Sequence, residues 1–218
     1  ASGPGGIAAW IMRIPLLIHE QNAIAGLTNK LLAPFASSIM TSFPRVFKKS
    51  NKIIVTGNPT REDIKNISKP EQRYKNRESK LLKVLVLGGS QGAEKLNKII
   101  PETLHNFDRK YIIKIKHQCG ERNLSGTHEI YAKYNVAAEI IPFIEDMVGA
   151  YMWADIVICR AGASTIFELA ACGIASILIP FPFAVDDHQV RNAEYLANND
   201  AAILVEESEL STKKLKQI

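Results

Sequence analysis

The sequence is short of cysteine and has no long apolar run. Its three cysteines, Cys119, Cys159 and Cys172, are an odd number without a CxxC pair. That pattern argues against a zinc site or a disulfide framework and fits a reducing compartment. No apolar stretch approaches the ~18 residues that cross a bilayer, so any membrane association is peripheral. A GK[ST] phosphate loop is missing, as is GxGxxG followed by an acid about 20 residues on, which removes the P-loop and nicotinamide-dinucleotide readings. No HExxH and no paired-carboxylate spacing supports a metalloenzyme or a glycoside hydrolase. Internal repeats, heptads and low-complexity tracts are absent too.

What is present is a globular composition. The 218 residues are 46% hydrophobic with mean hydropathy −0.03. The formal charge of +5 and pI near 9.1 suit an anionic partner such as a nucleotide sugar, an anionic lipid surface or nucleic acid, although the cations are spread along the chain.

The richest stretch runs from Asp155 to Asn192. It reads as an apolar strand over Ile156 to Cys159, a Gly turn, a helix from Ala163 or Ser164 to Gly173, and a second strand from Ala175 to Pro180. The turn puts Gly162, Ser164 and Thr165 at a helix N-terminus, where free N–H groups and the helix dipole favour phosphate. Glu168, one turn on, is placed to accept hydrogen bonds from ribose hydroxyls. Asp186, Asp187, His188 and Gln189 follow the second strand, with the two aspartates expected first as helix N-caps.

Taken in order, Gly3 to Gly6 is either a phosphate-approaching loop or a structural turn before a helix over Ile7 to Arg13. The run Pro15 to Ile18 is a strand leading to His19, Glu20, Gln21 and Asn22. Ala25 to Ala33 has helical spacing; Ser37 to Thr41 and Lys52 to Val55 are short strands. TGNPTR (Thr56 to Arg61) makes a hinge that leaves Arg61 as a free cation. A polar stretch, Glu62 to Lys80, leads into a second domain. Leu81 to Leu87 is nearly all apolar, as a buried parallel strand is. It feeds GGSQGA (Gly88 to Ala93), with Ser90 at its tip, then a helix over Glu94 to Ile100 that Pro101 is expected to stop. A Gly turn of this kind either binds an anion or serves only backbone geometry. Further strands over Tyr111 to His117 and Glu139 to Ile141, and helices over Glu129 to Tyr134 and Met147 to Trp153, complete the alternation. It predicts a doubly wound parallel sheet with the candidate site on loops at one edge. His19 and His117 read as local hydrogen-bonding groups, and Cys159 and Cys172 as core fillers.

HEQNAIAGLTNK (His19 to Lys30), GNPTR (Gly57 to Arg61), GGSQGA with Leu96 and Asn97, PFIEDM (Pro142 to Met147), WADIVICRAGASTIFE (Trp153 to Glu168) and DHQxxNA (Asp187 to Ala193) closely resemble the MurG family of bacterial glycosyltransferases, in order and over essentially the whole chain. The resemblance implies a GT-B fold of two Rossmann-like halves, with residues 1–58 the tail of an acceptor domain and 59–218 most of a donor domain. It implies an inverting transfer of N-acetylglucosamine from UDP-N-acetylglucosamine to an undecaprenyl-linked lipid I acceptor, without a metal or other cofactor. The place implied is the cytoplasmic face of the bacterial membrane, on an anionic surface, with no nucleic-acid partner. Uracil would meet the backbone at Ile144, the ribose Glu168, and the diphosphate the helix start Ala163, Ser164, Thr165, Ile166 and Phe167. Ser90 would contact donor phosphate, Gln189 the sugar, and Asn22 and Arg61 the donor near the cleft and hinge.

Both ends read as cuts inside a larger fold. The family's first Gly-rich loop, with its proposed catalytic histidine, has no counterpart, so the catalytic base stays unassigned. The expectation is weak binding of a uridine nucleotide with little or no turnover. Two alternatives remain open at this point: a GT-B enzyme with another acceptor, and a non-catalytic nucleotide-sugar-binding module.

Overall fold

The computed structural model of the chain describes residues 2–75, 77–78, 80–89, 92–107 and 110–218. Ser90 lies outside them. The chain begins with helix α1 (Ser2–Ile11), strand β1 (Leu17–Glu20), helix α2 (Leu27–Leu32) and strands β2 (Ser38–Thr41) and β3 (Ile53–Val55). The three strands form a parallel sheet in the order β1-β2-β3. Ile18, Leu32, Ala36 and Ile39 make its small core.

The loop expected at Gly3 to Gly6 is helical instead. A Cβ on Gly6 would lie 2.6 Å from Leu32 Cδ1, so the missing side chain lets α1 close on α2. Trp10 then meets Phe35 with ring centroids 4.6 Å apart. Gly6 thus serves helix packing, which offsets its cost of roughly 1 kcal/mol in a helix, whereas nothing lies within 4 Å of a Cβ added to Gly5.

Two short helices, α3 (Glu62–Lys65) and α4 (Pro70–Tyr74), lead to β4 (Leu81–Leu87), α5 (Glu94–His105), β5 (Ile112–Gln118), α6 (Leu124–Lys133), β6 (Glu139–Ile141), α7 (Met147–Trp153), β7 (Ile156–Cys159), α8 (Ala163–Cys172), β8 (Ala175–Leu178), α9 (His188–Ala197), β9 (Ile203–Leu204) and α10 (Thr212–Gln217). The six strands pair all-parallel in the order β6-β5-β4-β7-β8-β9. Side chains alternate across β4. Leu85 and Leu87 join the core with α7, α8 and α9 residues Tyr151, Ile166, Leu169 and Leu196. Val84 and Val86 join the opposite core with Leu96, Ile100, Tyr131 and Leu215. Helices on both faces are the doubly wound arrangement that the alternation implied.

Pro101 does not stop α5, which runs on to His105. Leu96, Ile100, Pro101 and Thr103 are all buried, and this packing outweighs the lost intrahelical bond.

Candidate functional site

The sheet order reverses at β4: successive strands first build outward through β5 and β6, then restart on the other side with β7. In open α/β sheets the carboxyl edge at such a switch point is where ligands bind. A cavity of about 210 Å³ opens there, lined by residues that include Leu87 at the end of β4 and Gly89 after it, Gln118 of β5, Phe143 and Ile144 after β6, Cys159 of β7 and Arg160 after it, and Thr165 and Glu168 of α8. Ile144, Thr165 and Glu168, expected from the sequence, are thus brought together. Ile144 is buried, while Phe143 beside it is 62% exposed at the mouth. Glu168 Oε2 accepts a hydrogen bond of 2.8 Å from the Tyr151 hydroxyl.

The ten-residue helix α8 starts at this edge with Gly162 as N-cap and no side-chain cap. Its first intrahelical donor is Ile166 N–H, bonded to the Gly162 carbonyl at 3.0 Å. The orphan donors of the first turn are therefore those of Ala163, Ser164 and Thr165. Ile166 points into the core at 0% exposure. Phe167 packs 5.0 Å from Phe43 and 6.1 Å from Tyr195, ring to ring. These two residues hold the helix in place, and the N–H groups of the three before them have no intrahelical partner.

The Gly-rich turn after β4 is fixed by close approach. Gly89 and Gly92 have φ of +78° and +74°. A Cβ on Gly92 would stand 2.2 Å from the Cys119 carbonyl oxygen, and the Gln118 side chain holds the turn by donating to the Gly89 carbonyl at 3.0 Å. Beneath it, fully buried His117 stands between the Tyr131 hydroxyl (2.8 Å from Nδ1) and Asn97 Oδ1 (3.0 Å from Nε2). Asn97 Nδ2 donates to the Cys119 carbonyl, so its oxygen accepts from Nε2–H and Nδ1 accepts from Tyr131.

Burial lowers the His117 pKa from 6.5 to about 4. The folded state therefore resists protonation where the unfolded chain takes it up. Stability falls as pH drops from 6.5 toward 4, by roughly 3 kcal/mol, and this group contributes no further loss below that. Urea melts of the protein across this range should show the slope, and His117→Asn, less stable at pH 7, should flatten it.

Two expectations fail here. Arg61 is not a free cation: it grips Asp63, with Nε to Oδ1 and Nη2 to Oδ2 both at 3.1 Å. Asp63 stands in the first turn of α3, close enough for the planar guanidinium to bond both carboxylate oxygens. Asp186 and Asp187 are not side-chain caps either, because both backbones are left-handed, with φ of +54° and +52°. Asp187 occupies the N-cap position without a side-chain cap bond, and Asp186 is 3.8 Å from Lys30. Gln189 is spoken for in part: its Oε1 accepts from Phe181 N–H at 3.0 Å.

Asn22 meets Asn192, the asparagine of the DHQxxNA motif, to which the sequence assigned no role. Asn192 of α9, fully buried, accepts from Ala23 N–H at 2.8 Å and donates to Asn22 Oδ1 at 3.1 Å and to the Ala161 carbonyl at 3.2 Å. One amide thereby joins the loop after β1, the turn before α8 and α9. Glu20, 4% exposed, shapes the first of these loops by accepting from Asn22 N–H, Gly26 N–H and Asn29 Nδ2. His19 ties the same region to the hinge, with Nε2 3.2 Å from the Gly57 carbonyl. Arg160, likewise assigned no role, donates to the Ile179 and Pro180 carbonyls, pairs with Glu207 and lies over the Phe181 ring. Its position directly after an apolar strand was the available signal. Asn192 is the matched asparagine of DHQxxNA, though the motif assigns it no role; the buried Tyr151 offered no signal.

The three cysteines are free and buried. Burial raises Cys159 to about 12 and Cys172 to about 11, so both remain thiols. Among the described residues no cluster of His, Cys, Asp and Glu has the arrangement of a metal site, and no helix is long and apolar enough to cross a membrane.

A doubly wound parallel domain with its cavity at the switch point, facing a smaller parallel sheet, has the architecture of the GT-B glycosyltransferases. Two family models match: the glycosyltransferase family 28 C-terminal domain over residues 83–218 and the family 28 N-terminal domain over residues 1–41. The chain belongs to glycosyltransferase family 28. It is 50% identical over 216 residues to the UDP-N-acetylglucosamine--N-acetylmuramyl-(pentapeptide) pyrophosphoryl-undecaprenol N-acetylglucosamine transferase of Nitrosococcus oceani, covering 99% of this chain and 60% of that one. The same enzyme of Marinobacter nauticus is 48% identical, with 99% and 59% covered. The crystal structure of Acinetobacter baumannii MurG superposes with a TM-score of 0.85 at 40% identity, covering 99% of this chain and 60% of that one. The chain thus spans about 60% of the length of the curated relatives it matches.

Proposed function

We propose that the switch-point cavity is the donor site of an inverting N-acetylglucosaminyltransferase that takes the sugar from UDP-N-acetylglucosamine to an undecaprenyl-diphosphate-linked muramoyl acceptor, lipid I. The observation that carries this reading is the convergence of Ile144, Thr165 and Glu168 on one cavity at the start of α8. The names of the relatives supply the donor sugar and the lipid-linked acceptor. In this reading the backbone at Ile144 meets uracil, Glu168 accepts from the ribose hydroxyls, and the free N–H groups of Ala163, Ser164 and Thr165 bind diphosphate. Gln189 and Asn22 contact the sugar side, and Ser90 the phosphates. Arg61 reaches the leaving group only by releasing Asp63.

The acceptor's 4-hydroxyl attacks the anomeric carbon as the bond to the diphosphate oxygen breaks; the electron pair departs with UDP, and the hydroxyl proton passes to a general base to which no residue of this chain is assigned. Donors fixed at the helix start stabilise the charge that develops there. Residues 1–58 belong to the acceptor side and 59–218 to the donor side. Exposed Trp10 and Ile11 on α1 and Met12 just after it, with Leu27 and Leu31 on α2, support peripheral contact of the first part with a membrane surface; that the surface is anionic and on the cytoplasmic face comes from the family resemblance.

Titration calorimetry with UDP-N-acetylglucosamine against the ADP and GDP sugars tests the donor site. Binding of the uridine compound alone is the expected result. Glu168→Ala should weaken it by about 30-fold, the loss of charge-assisted hydrogen bonds to the ribose. Equal affinity for all three nucleotides, or an unchanged affinity in Glu168→Ala, would overturn the assignment.

A further inference from the structure

Tyr151 sits in the second turn of α7, is 0% exposed, and still lines the cavity. That hydroxyl donates to Glu168 Oε2 at 2.8 Å across two neighbouring helices. The phenol is fixed by the core cluster of Leu87, Cys159, Ile166 and Leu169, in which its ring packs. A glutamate at a cavity wall otherwise samples many rotamers, and ordering it on ligand binding costs conformational entropy. Here one lone pair of Oε2 is already taken, which fixes the carboxylate plane and leaves its other acceptor sites for the cavity.

The helix that carries Tyr151 is anchored at the same edge. Asp146 caps it by accepting from Gly149 N–H at 2.8 Å, and the loop just before holds Ile144. The candidate base slot and the support for the candidate ribose acid therefore come from one short helix and its entry loop. We propose that Tyr151 is a positioning residue that sets the Glu168 carboxylate for a vicinal diol, and so makes this site select ribonucleotides over deoxynucleotides. The proposal rests on the reading of Glu168 as the ribose acceptor. Burial, and next the charge of Glu168, push the Tyr151 pKa upward. Its hydroxyl thus keeps its proton and acts only as the donor in this pair.

The test compares UDP with 2′,3′-dideoxy-UDP by calorimetry on the 218-residue protein, Tyr151→Phe, Glu168→Ala and the double variant. The protein should prefer UDP by about 30-fold, and Tyr151→Phe should lose about ten-fold on UDP but less than two-fold on the dideoxy compound. In the Glu168→Ala background, Tyr151→Phe should add nothing. Equal losses on both nucleotides, or no loss on UDP, would overturn the positioning role while leaving the ribose reading intact. A protein that does not discriminate UDP from its dideoxy form overturns that reading and this inference together. A readout without substitution covers the case of a poorly folded variant. In protein labelled with 3-fluorotyrosine, the Tyr151 fluorine resonance should shift on adding UDP and stay in place with the dideoxy compound; an unchanged resonance with UDP would count against the proposal.

Discussion

Asn192→Ala is expected to lower the unfolding free energy by about 3 kcal/mol, because it strips the partner from a half-buried N–H, a buried carbonyl and a side-chain amide at once. The three bonds run to Ala23, Ala161 and Asn22. Each group left without its partner carries its own desolvation cost. Asn192→Asp separates the contributions. Its carboxylate can still accept from Ala23 N–H but faces the Ala161 carbonyl without a proton to give, so it should be no better than alanine above pH 6. Chemical denaturation of the three proteins measures this. Near-native stability of Asn192→Ala would mean that the amide is not what joins the loop after β1 to α9.

Gly92→Ala is the second large effect. Its φ of +74° costs an L-residue about 1–2 kcal/mol by itself. The collision is worse, because one of the two atoms 2.2 Å from the new Cβ is the Cys119 carbonyl oxygen. That backbone is held by Cys119 N–H to the Ile141 carbonyl at 3.0 Å and by Asn97 and Asn123 on its oxygen. A total loss of at least about 3 kcal/mol follows, together with a displaced turn. Gly89→Ala is the control: φ is +78°, yet nothing lies within 4 Å of its added Cβ. It should lose only about 1–2 kcal/mol, the left-handed backbone cost. Thermal melts that rank the two variants equally would show that the contact with Cys119 is not what the glycine serves.

The large sheet was legible because its signal is local. An apolar run such as Leu81 to Leu87 is buried on both faces and can be little else, and the strand, turn and helix from Ile156 to Cys172 carry their punctuation in the sequence. The convergence of Ile144, Thr165 and Glu168 followed from the topology of parallel strands together with the family resemblance. Glycine and proline misled where packing overrode their usual meaning, at Gly6 against Leu32 and at Pro101 inside α5. β9, two residues long, has too few side chains to show any period. Pairings such as Arg61 with Asp63 and Asn192 with Asn22 depend on rotamers and on elements far apart in the chain. No composition or spacing rule encodes them.

The placement of β4 also bears on how the chain is made. Its neighbours are β5, synthesised next, and β7, synthesised only after β6 and two more helices. While the polypeptide emerges, one edge of LLKVLVL can be paired early and the other stays bare until β7 arrives. A near-continuous apolar strand with one bare edge is the kind of surface on which nascent chains associate wrongly. The strand at the centre of the finished sheet is therefore the one most in need of protection during translation.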